Sequence, residues 1–276
     1  MTTRTAPACV LLLLASLFAP LAAQEPEPPE LDSDEPIFVP NDLFFVAGVG
    51  ASTILISPFD SALANYLQGD LQTRRSLRRL SWAVENITQP GAWIIGGGLF
   101  LAGKALDNDR LTTLGVRGTE AIVIGLGVTT LIKFGAGRAR PFVDRNPRDF
   151  KLLRGVRQEE YRSFPSGHTV IAFAAAVVVT EETRDWFTDA QWYIGPVMYV
   201  GATLVGISRM YDNKHWASDV LMGGAIGAFT GMKVMKFHRT RPNNSLDRWL
   251  IGGSLVAKPE GGYTFRPMIF PLLGGN

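Results

Sequence analysis

Apolar residues in this chain fall into six segments that are separated by polar connections. Each segment is longer than most β-strands, which seldom exceed about 10 residues, so the pattern favours helices. Helices joined mostly by short connections pack antiparallel. We therefore predict an all-α fold, a six-helix up-and-down bundle. The segments lie near residues 43–59, 87–106, 111–134, 168–180, 192–207 and 219–236.

The C-terminal part changes character. Between Trp249 and Phe270, apolar and glycine residues flank the segment 258–262, Lys-Pro-Glu-Gly-Gly. Proline and glycine this close together are typical of a turn between two strands. We expect a small C-terminal β-hairpin there and assign it no chemistry.

The N-terminus has the pattern of a secretory signal peptide. Arg4 is followed by a short apolar run and by the small residues 19–23. Acids and prolines then alternate, which is typical of an extended linker. The predicted organisation is a signal peptide at 1–23, an acidic Pro-rich linker at 24–36, a helical domain at 37–242 and a C-terminal tail at 243–276.

Composition narrows the function classes. A chain of 276 residues allows one domain of about 200 residues with tails. The hydrophobic fraction of 46% is high for a soluble enzyme and low for a protein that lies mostly in a membrane, and the net charge of +2 gives no reason to expect nucleic acid. The single cysteine, Cys9, lies in the predicted signal peptide, so the processed chain has no disulfide, thiolate nucleophile or cysteine zinc site.

Three cations stand near the ends of the predicted helices. Lys133 ends the third segment, Arg140 follows it, and Arg209 follows the fifth. A phosphate dianion, and the transition state through which it passes, need several such charges around their oxygens. These residues are therefore candidate phosphate ligands.

Two histidines and an aspartate complete a candidate catalytic centre. Ser166 and Gly167 precede the fourth segment, where the free N–H groups of a helix's first turn form an anion site. His215 and Asp219 are four residues apart, so on a helix the carboxylate holds the imidazole in one tautomer and leaves its other nitrogen to attack phosphorus. His168 is then the group that protonates the leaving oxygen and later takes a proton from water.

In chain order these residues form three motifs, with no departure from the pattern of a known family. The chain resembles the type 2 phosphatidic acid phosphatase and vanadium haloperoxidase superfamily, as a bacterial lipid-phosphatase-like or acid-phosphatase-like member, and the helical surroundings extend the likeness from about residue 40 to 240. The motifs are Lys133 with Arg140-Pro141, then Pro165-Ser166-Gly167-His168, then Ser208-Arg209 with His215 and Asp219.

The resemblance implies a role for each residue. His215 is the nucleophile that forms a phosphohistidine, Asp219 orients it, and His168 is the general acid. No metal and no other cofactor is implied, although vanadate fits the phosphate site. The implied phosphate ligands are Lys133, Arg140, Ser166, Gly167 and Arg209.

Function is predicted as hydrolysis of a phosphomonoester or diphosphate, in the first place of a lipid. Each motif alone has a simpler explanation, such as a helix stop at Arg140-Pro141. All of these simpler explanations would have to hold at once, so the combination favours the catalytic interpretation. The motifs recognise only the phosphoryl group, so other functions stay open. They are an acid phosphatase for small esters, a vanadium haloperoxidase, and a module that binds phospholipid without turnover.

The sequence favours an exported enzyme of the cell envelope that lies on or in a membrane. Charges such as Lys104 and Arg117 interrupt the apolar segments, and most uninterrupted runs are shorter than the roughly 20 residues of a span. If residue 24 is delivered outside and every segment spans, the pocket faces the cytoplasm, so an outward pocket requires either that some segments do not span or that the bundle is not embedded in the membrane. An anionic membrane surface is the expected partner of the basic cluster Arg74, Arg75, Arg78 and Arg79.

Two further predictions concern the sixth segment and the residues just after it. Glycines at a four-residue spacing, Gly223, Gly227 and Gly231, form a small-residue stripe that lets another helix approach closely. His238, which stands among basic residues, is predicted to be a solvated helix end.

Overall fold

The computed structural model describes residues 35–187, 190–242, 244–252, 254–257 and 263–266. Short 3₁₀ turns occur at Ser57–Phe59, Asp70–Thr73 and Glu159–Tyr161. The helices are α1 (Asn41–Ile56), α2 (Asp60–Leu67), α3 (Arg75–Thr88), α4 (Gly91–Ala105), α5 (Asp109–Ala136), α6 (Arg154–Arg157), α7 (Gly167–Trp186), α8 (Gln191–Tyr211), α9 (Ala217–Thr240) and α10 (Ser245–Leu250).

The helical bundle that the apolar pattern predicts is confirmed. The six apolar segments correspond to α1, α4, α5, α7, α8 and α9. The structure adds α2 and α3 between the first two segments, where the sequence is too polar for the apolar pattern to show them. The predicted signal peptide and most of the predicted linker fall in residues 1–34, outside the described residues, and the domain boundaries stay a prediction.

Helix directions place one set of helix ends together. Asp42, at the start of α1, pairs with Lys233 near the end of α9, whereas Asp60, just beyond α1, bonds Ser218 at the start of α9. Helix α1 therefore runs antiparallel to α9 and ends where α9 begins. The ends of α5 and α8 also meet the beginnings of α7 and α9 there, and we call this end of the bundle the motif end.

Helix α7 is the centre of the core. Val170, Phe173, Val177 and Val178 are each at most 1% exposed. The glycine stripe of α9 faces this helix: a Cβ on Gly223 would lie 2.5 Å from the carbonyl oxygen of Ser166. Cβ atoms on Gly227 and Gly231 would likewise collide with α7. The predicted close helix approach is therefore present, between α7 and α9.

A strand pair follows the bundle, as the C-terminal pattern predicts. Strand β1 (Ser254–Ala257) pairs antiparallel with β2 (Tyr263–Arg266), with Ala257 opposite Tyr263. The predicted turn at 258–262 lies outside the described residues.

The prediction for His238 is wrong. Its side chain is 1% exposed. Nδ1 lies 2.8 Å from the carboxylate of Asp247, and Nε2 lies 2.7 Å from that of Glu120. Helix α10 carries Asp247 onto the end of α9, and Glu120 is 118 residues away in sequence, so the basic neighbours of His238 gave no sign of either acid.

Much of the outer surface of the bundle is apolar. Phe44 is 76% exposed, Leu55 73%, Ile94 68% and Val197 67%, and these residues come from α1, α4 and α8. Within the described residues, the stretches 41–67 and 109–136 are long and apolar enough to cross a membrane by length and composition. Together these features indicate association with a membrane.

Candidate active site

The motif residues meet at the motif end. Lys133 lies in the last turn of α5 and Arg140 in the connection that follows. Ser166 is the N-cap of α7, so Gly167 and His168 open that helix, as predicted. Arg209 lies in the last turn of α8, His215 in the connection to α9, and Asp219 in the first turn of α9.

Local sequence explains why α5 stops where it does. Gly137, its C-cap, has a φ of +54°, a left-handed conformation that glycine adopts without strain. A Cβ there would also collide with the carbonyl oxygen of Lys151. The chain therefore turns away after Lys133 and brings Arg140 back towards the other motifs.

Asp219 is fixed by several donors. Its Oδ2 accepts from Ser163 Oγ at 2.5 Å and from the N–H of Trp216 at 2.8 Å, and its Oδ1 accepts from Arg138. Burial disfavours the carboxylate, but the Arg138 guanidinium and these hydrogen bonds outweigh burial and hold the pKa of Asp219 well below its usual range. Asp219 is therefore a permanent anion beside His215.

His215 is a buried neutral base. It is 4% exposed, and its Nδ1 lies 3.5 Å from Oδ2 of Asp219. Burial, helped by the charges of Lys133 and Arg140, lowers the pKa of His215 to about 3, against the opposing effect of Asp219. Nδ1 makes no hydrogen bond within the described residues, but it faces the carboxylate, which favours the proton on Nδ1 and leaves the lone pair on Nε2 free.

His168 shares the cationic surroundings. Burial, and then the charges of Arg209, Lys133 and Arg140, lower its pKa to about 4, while Glu85 acts in the opposite direction. A bound phosphate dianion offsets those cations, so we expect the pKa of His168 to rise when a phosphate ester enters. That is the direction a general acid needs.

The candidate phosphate ligands differ in how they are held. Arg140 Nε is buried and has no hydrogen-bond partner in the part of the chain that the structure describes. Lys133 donates to the carbonyl oxygen of Arg162 at 2.6 Å. A Cβ on Gly167 would lie 3.9 Å from Lys133 Cε, which brings this side chain to the start of α7. A buried donor without a partner is costly, so Arg140 in particular is suited to an incoming oxyanion.

Sequence reasoning missed a buried network beneath these residues. Arg138 is 2% exposed and pairs with both Asp219 and Asp60, the latter at 2.7 Å. Asp60 in turn accepts from the N–H of Ser218 at 2.9 Å and from its hydroxyl at 2.6 Å. Arg138 stands inside the first motif, two residues before Arg140, which was a usable signal. Asp60 is 158 residues from Ser218, and no sequence feature indicated that it belongs to this network.

An apolar cavity lies within the bundle and begins about one helical turn from two of the motif residues. Its volume is about 480 Å³, and it is enclosed by α3, α4, α5, α7 and α8. Ile171 and Val205 line it, one helical turn from His168 and Arg209 respectively. Ile95 and Val197 also line it and are exposed on the outer surface. The cavity therefore lies between the apolar exterior and the helical turns that precede or follow two motif residues.

The described residues include no cluster of potential metal ligands. Across the described ranges, no group of three or more His, Cys, Asp or Glu side chains is arranged to hold a metal ion. Among the motif residues, the cations Lys133, Arg140 and Arg209 outnumber the one carboxylate, that of Asp219, and this set is suited to an anionic ligand.

Comparison with known proteins agrees with the motifs. Residues 117–243 match the model of the PAP2 superfamily. The lipid A 1-phosphatase of Porphyromonas gingivalis is 45% identical over 69 residues, which is 25% of this chain and 15% of that protein. The undecaprenyl-diphosphatase of Sulfolobus acidocaldarius is 27% identical over 141 residues, which is 51% of this chain and 63% of that protein. The chain thus spans less than two thirds of the length of either relative.

The fold also has a solved counterpart. The crystal structure of a transmembrane PAP2-type phosphatidylglycerolphosphate phosphatase from Bacillus subtilis superposes with a TM-score of 0.50 at 21% identity, over 74% of this chain and 96% of that one. A likeness at this identity concerns the fold. The part of the chain that matches the PAP2 superfamily, residues 117–243, contains all three motifs.

Proposed function

We propose that this protein is a phosphatase that hydrolyses a phosphomonoester or diphosphate of a lipid, through a phosphohistidine and without a metal ion. The observation that carries the proposal is His215, a buried neutral imidazole whose Nδ1 lies 3.5 Å from the fixed carboxylate of Asp219 and whose surroundings are cationic. A binding module needs the cations but has no need of an oriented base.

The first step transfers the phosphoryl group to the protein. Lys133, Arg140 and Arg209 bind its oxygens together with the N–H groups at the start of α7. His215 Nε2 attacks phosphorus, an N–P bond forms, and the bond from phosphorus to the leaving oxygen breaks. His168, as imidazolium, gives its proton to that oxygen. Asp219 stabilises the positive charge that His215 acquires.

The second step regenerates the site. His168 is now neutral and takes a proton from a water molecule as the water oxygen attacks phosphorus. The N–P bond breaks, its electron pair returns to His215, and inorganic phosphate is released. No oxidant, reductant or metal takes part in either step.

The apolar cavity favours a lipid over a small soluble ester. Its volume of about 480 Å³ lies within the roughly 300–1,000 Å³ of ligand pockets, and its lining is almost entirely apolar. A hydrocarbon chain in the cavity would keep its phosphate end beside His168 and Arg209. The relatives whose names specify lipid A and undecaprenyl diphosphate support the same substrate class.

Turnover tests this function directly. Purified protein with EDTA is offered phosphatidate, phosphatidylglycerophosphate, a polyprenyl diphosphate, a lipid A phosphate and a short-chain ester. We expect release of inorganic phosphate, with a kcat/KM at least tenfold higher for long-chain substrates. Equal rates on the short ester would favour the acid phosphatase, and bromide oxidation by vanadate-loaded protein would favour the haloperoxidase.

We propose that the protein is exported and that its pocket faces outward, on or in the membrane. Helix α1 begins at the end opposite the motif end, so a bundle that crosses the membrane completely with residue 35 outside would turn the pocket inward. An outward pocket therefore implies that the apolar surface enters the membrane without crossing it completely.

Cysteine labelling tests this arrangement. Arg145 is exposed at the motif end and Arg248 is exposed at the opposite end. A membrane-impermeant thiol reagent should label both Arg145→Cys and Arg248→Cys once the outer membrane is permeabilised. Labelling of only one variant would mean that the bundle crosses the membrane, and Arg145→Cys labelled only after lysis would place the pocket in the cytoplasm.

A further inference from the structure

Helix α3 presents one face to the motif end. Ser81, Glu85 and Thr88 are spaced so that they share this face. Ser81 Oγ donates to Asp212 at 2.7 Å, Oε1 of Glu85 lies 3.1 Å from Nη1 of Arg209, and Thr88 lines the apolar cavity. The helix therefore touches both the phosphate-ligand side and the cavity side of the site.

Arg209 holds two carboxylates, and the two are not equivalent. Asp212 follows α8 directly, lies 2.6 Å from Nη2 of Arg209, and is fixed by Ser81 and by its own backbone N–H to Ser208. Glu85 comes from a different helix, and its side chain is 42% exposed, whereas that of Arg209 is 1% exposed. Glu85 can therefore turn towards solvent while Asp212 stays in place.

The pair between Glu85 and Arg209 conflicts with phosphate binding. A phosphoryl oxygen that approaches Nη1 of Arg209 meets the Glu85 carboxylate, and two anions at one donor repel each other. Asp212 on Nη2 leaves Nη1 for the ligand once Glu85 has moved. Entry of a phosphate group therefore requires that Glu85 leave Arg209.

We propose that Glu85 is a placeholder that competes with the phosphoryl group for Arg209 and so weakens the hold of the site on free inorganic phosphate. The inference rests on the proposed function, since it concerns the product of that reaction. A lipid substrate has its apolar chain in the cavity to offset the competition, whereas inorganic phosphate has no such chain. Glu85 thereby favours lipid-linked phosphate over the released product.

A second effect of Glu85 supports its position at the mouth of the site. Its charge acts on His168 and opposes the lowering of the pKa of that residue by burial and by Arg209, Lys133 and Arg140. The same carboxylate thus pairs with a phosphate ligand and acts electrostatically on the candidate acid.

The test compares Glu85→Gln with wild type. The amide keeps the shape of the side chain and removes its charge. We expect the inhibition constant of inorganic phosphate to fall roughly three- to tenfold, the range for loss of a competing, partly exposed charged contact. KM for a short-chain ester should fall by a similar factor, because that substrate also lacks a chain in the cavity.

Glu160→Gln is the matched control. It removes the same charge from an exposed side chain at the same end of the bundle. Its phosphate inhibition constant should stay within twofold of wild type. If Glu85→Gln leaves phosphate inhibition unchanged, or raises KM, then Glu85 is not a placeholder.

A binding measurement separates this proposal from the proposed function. Calorimetric titration of wild type and Glu85→Gln with orthovanadate and inorganic phosphate needs no turnover. Tighter anion binding by the variant supports the placeholder even if no ester is hydrolysed, in which case only the proposed function fails. Should Glu85→Gln not fold, Glu85→Asp replaces it, since its shorter carboxylate reaches Arg209 less well, and unchanged binding by that variant overturns the proposal.

Discussion

The pKa values of buried histidines shift in opposite directions at the two ends of the bundle. At the motif end, His168 and His215 lie among cations, and their pKa values fall to about 4 and about 3. At the opposite end, His238 is 1% exposed yet has a raised pKa, because Asp247 and Glu120 accept from its two ring nitrogens. Burial alone lowers the pKa at all three positions, so the charge of the neighbours decides the outcome.

The comparison explains what each histidine can do. A neutral imidazole among cations has a lone pair to offer to phosphorus and attracts the phosphate dianion to it. An imidazolium between two carboxylates has no lone pair, and instead joins α9, α5 and α10 through charged hydrogen bonds. Arg117 belongs to the same end, where it pairs with Glu182 at 2.6 Å.

Removal of the nucleophile should have the largest effect. His215→Ala is expected to lower kcat by at least about a thousandfold, since a covalent nucleophile has no substitute in the site. Acid-labile phosphate, trapped on wild type by rapid quench with labelled substrate, should be absent. His238→Ala is the control from the opposite end and should still form the phosphoprotein. Near-normal turnover in His215→Ala would rule out the mechanism.

Arg209→Lys tests the geometry of the cationic end. The lysine keeps the charge but loses the planar guanidinium, in which Asp212 holds Nη2 and so orients Nη1 towards phosphate, and we expect kcat/KM to fall about ten- to a hundredfold. Lysine in place of Arg145, an exposed residue of the same end, should leave kcat/KM unchanged. If Arg209→Lys also matches wild type, Arg209 has a structural role only.

Arg138→Met separates stability from chemistry at the motif end. It leaves Asp60 and Asp219 buried without a counter-charge, which costs about 3–5 kcal/mol in the free energy of unfolding. Denaturant unfolding measures this loss, and Arg145→Met should change stability by less than about 0.5 kcal/mol. A loss below about 1 kcal/mol for Arg138→Met would show that the two buried acids find other partners.

The pH dependence of stability sharpens the contrast between the ends. The pKa of His238 is raised in the folded state, so its stabilisation is complete below the unfolded value of about 6.5 and is lost as pH rises through the raised pKa. His168 and His215 have lowered pKa values, so the folded state resists their protonation and stability falls as pH drops below about 6.5.

His238→Gln should remove the loss of stability as pH rises and leave the loss of stability as pH falls. Its loss at neutral pH should be about 1–3 kcal/mol, the scale of charged hydrogen bonds. Unfolding curves of wild type and variant between pH 5 and 9, with the difference plotted against pH, provide the measurement. A difference that does not shrink as pH rises would mean that His238 is not charged in the folded protein.

The smallest effect on turnover is expected at the surface. Replacement of the exposed residues Arg74, Arg75, Arg78 and Arg79 by Gln should weaken binding to anionic vesicles, with each charge contributing up to about 1 kcal/mol. Hydrolysis of a short soluble ester should stay within twofold of wild type. Vesicle co-sedimentation at low and high salt measures the binding, and unchanged binding would exclude this surface as the membrane contact.

Local information was enough to predict the helices and to select the motif residues as candidates. Apolar runs such as that of α5 depend on neighbours a few residues apart, and the four-residue spacing of His215 and Asp219 fixes their common face as soon as α9 forms. Each motif lies at or near a segment boundary, which in an antiparallel bundle is compatible with their meeting at one end. The apolar pattern did not predict the polar helix α3, since the position of that helix depends on the neighbouring helices against which it packs.

The sequence by itself determined the helical bundle, the family resemblance and the set of candidate residues, because these rest on short spacings along the chain. Only the tertiary structure decided which charges face which histidine. Arg138 reaches Asp219 across 81 residues, Glu120 reaches His238 across 118, and Glu85 meets Arg209 from another helix. A pKa depends on distance and burial in space, and the order of residues along the chain carries neither of these.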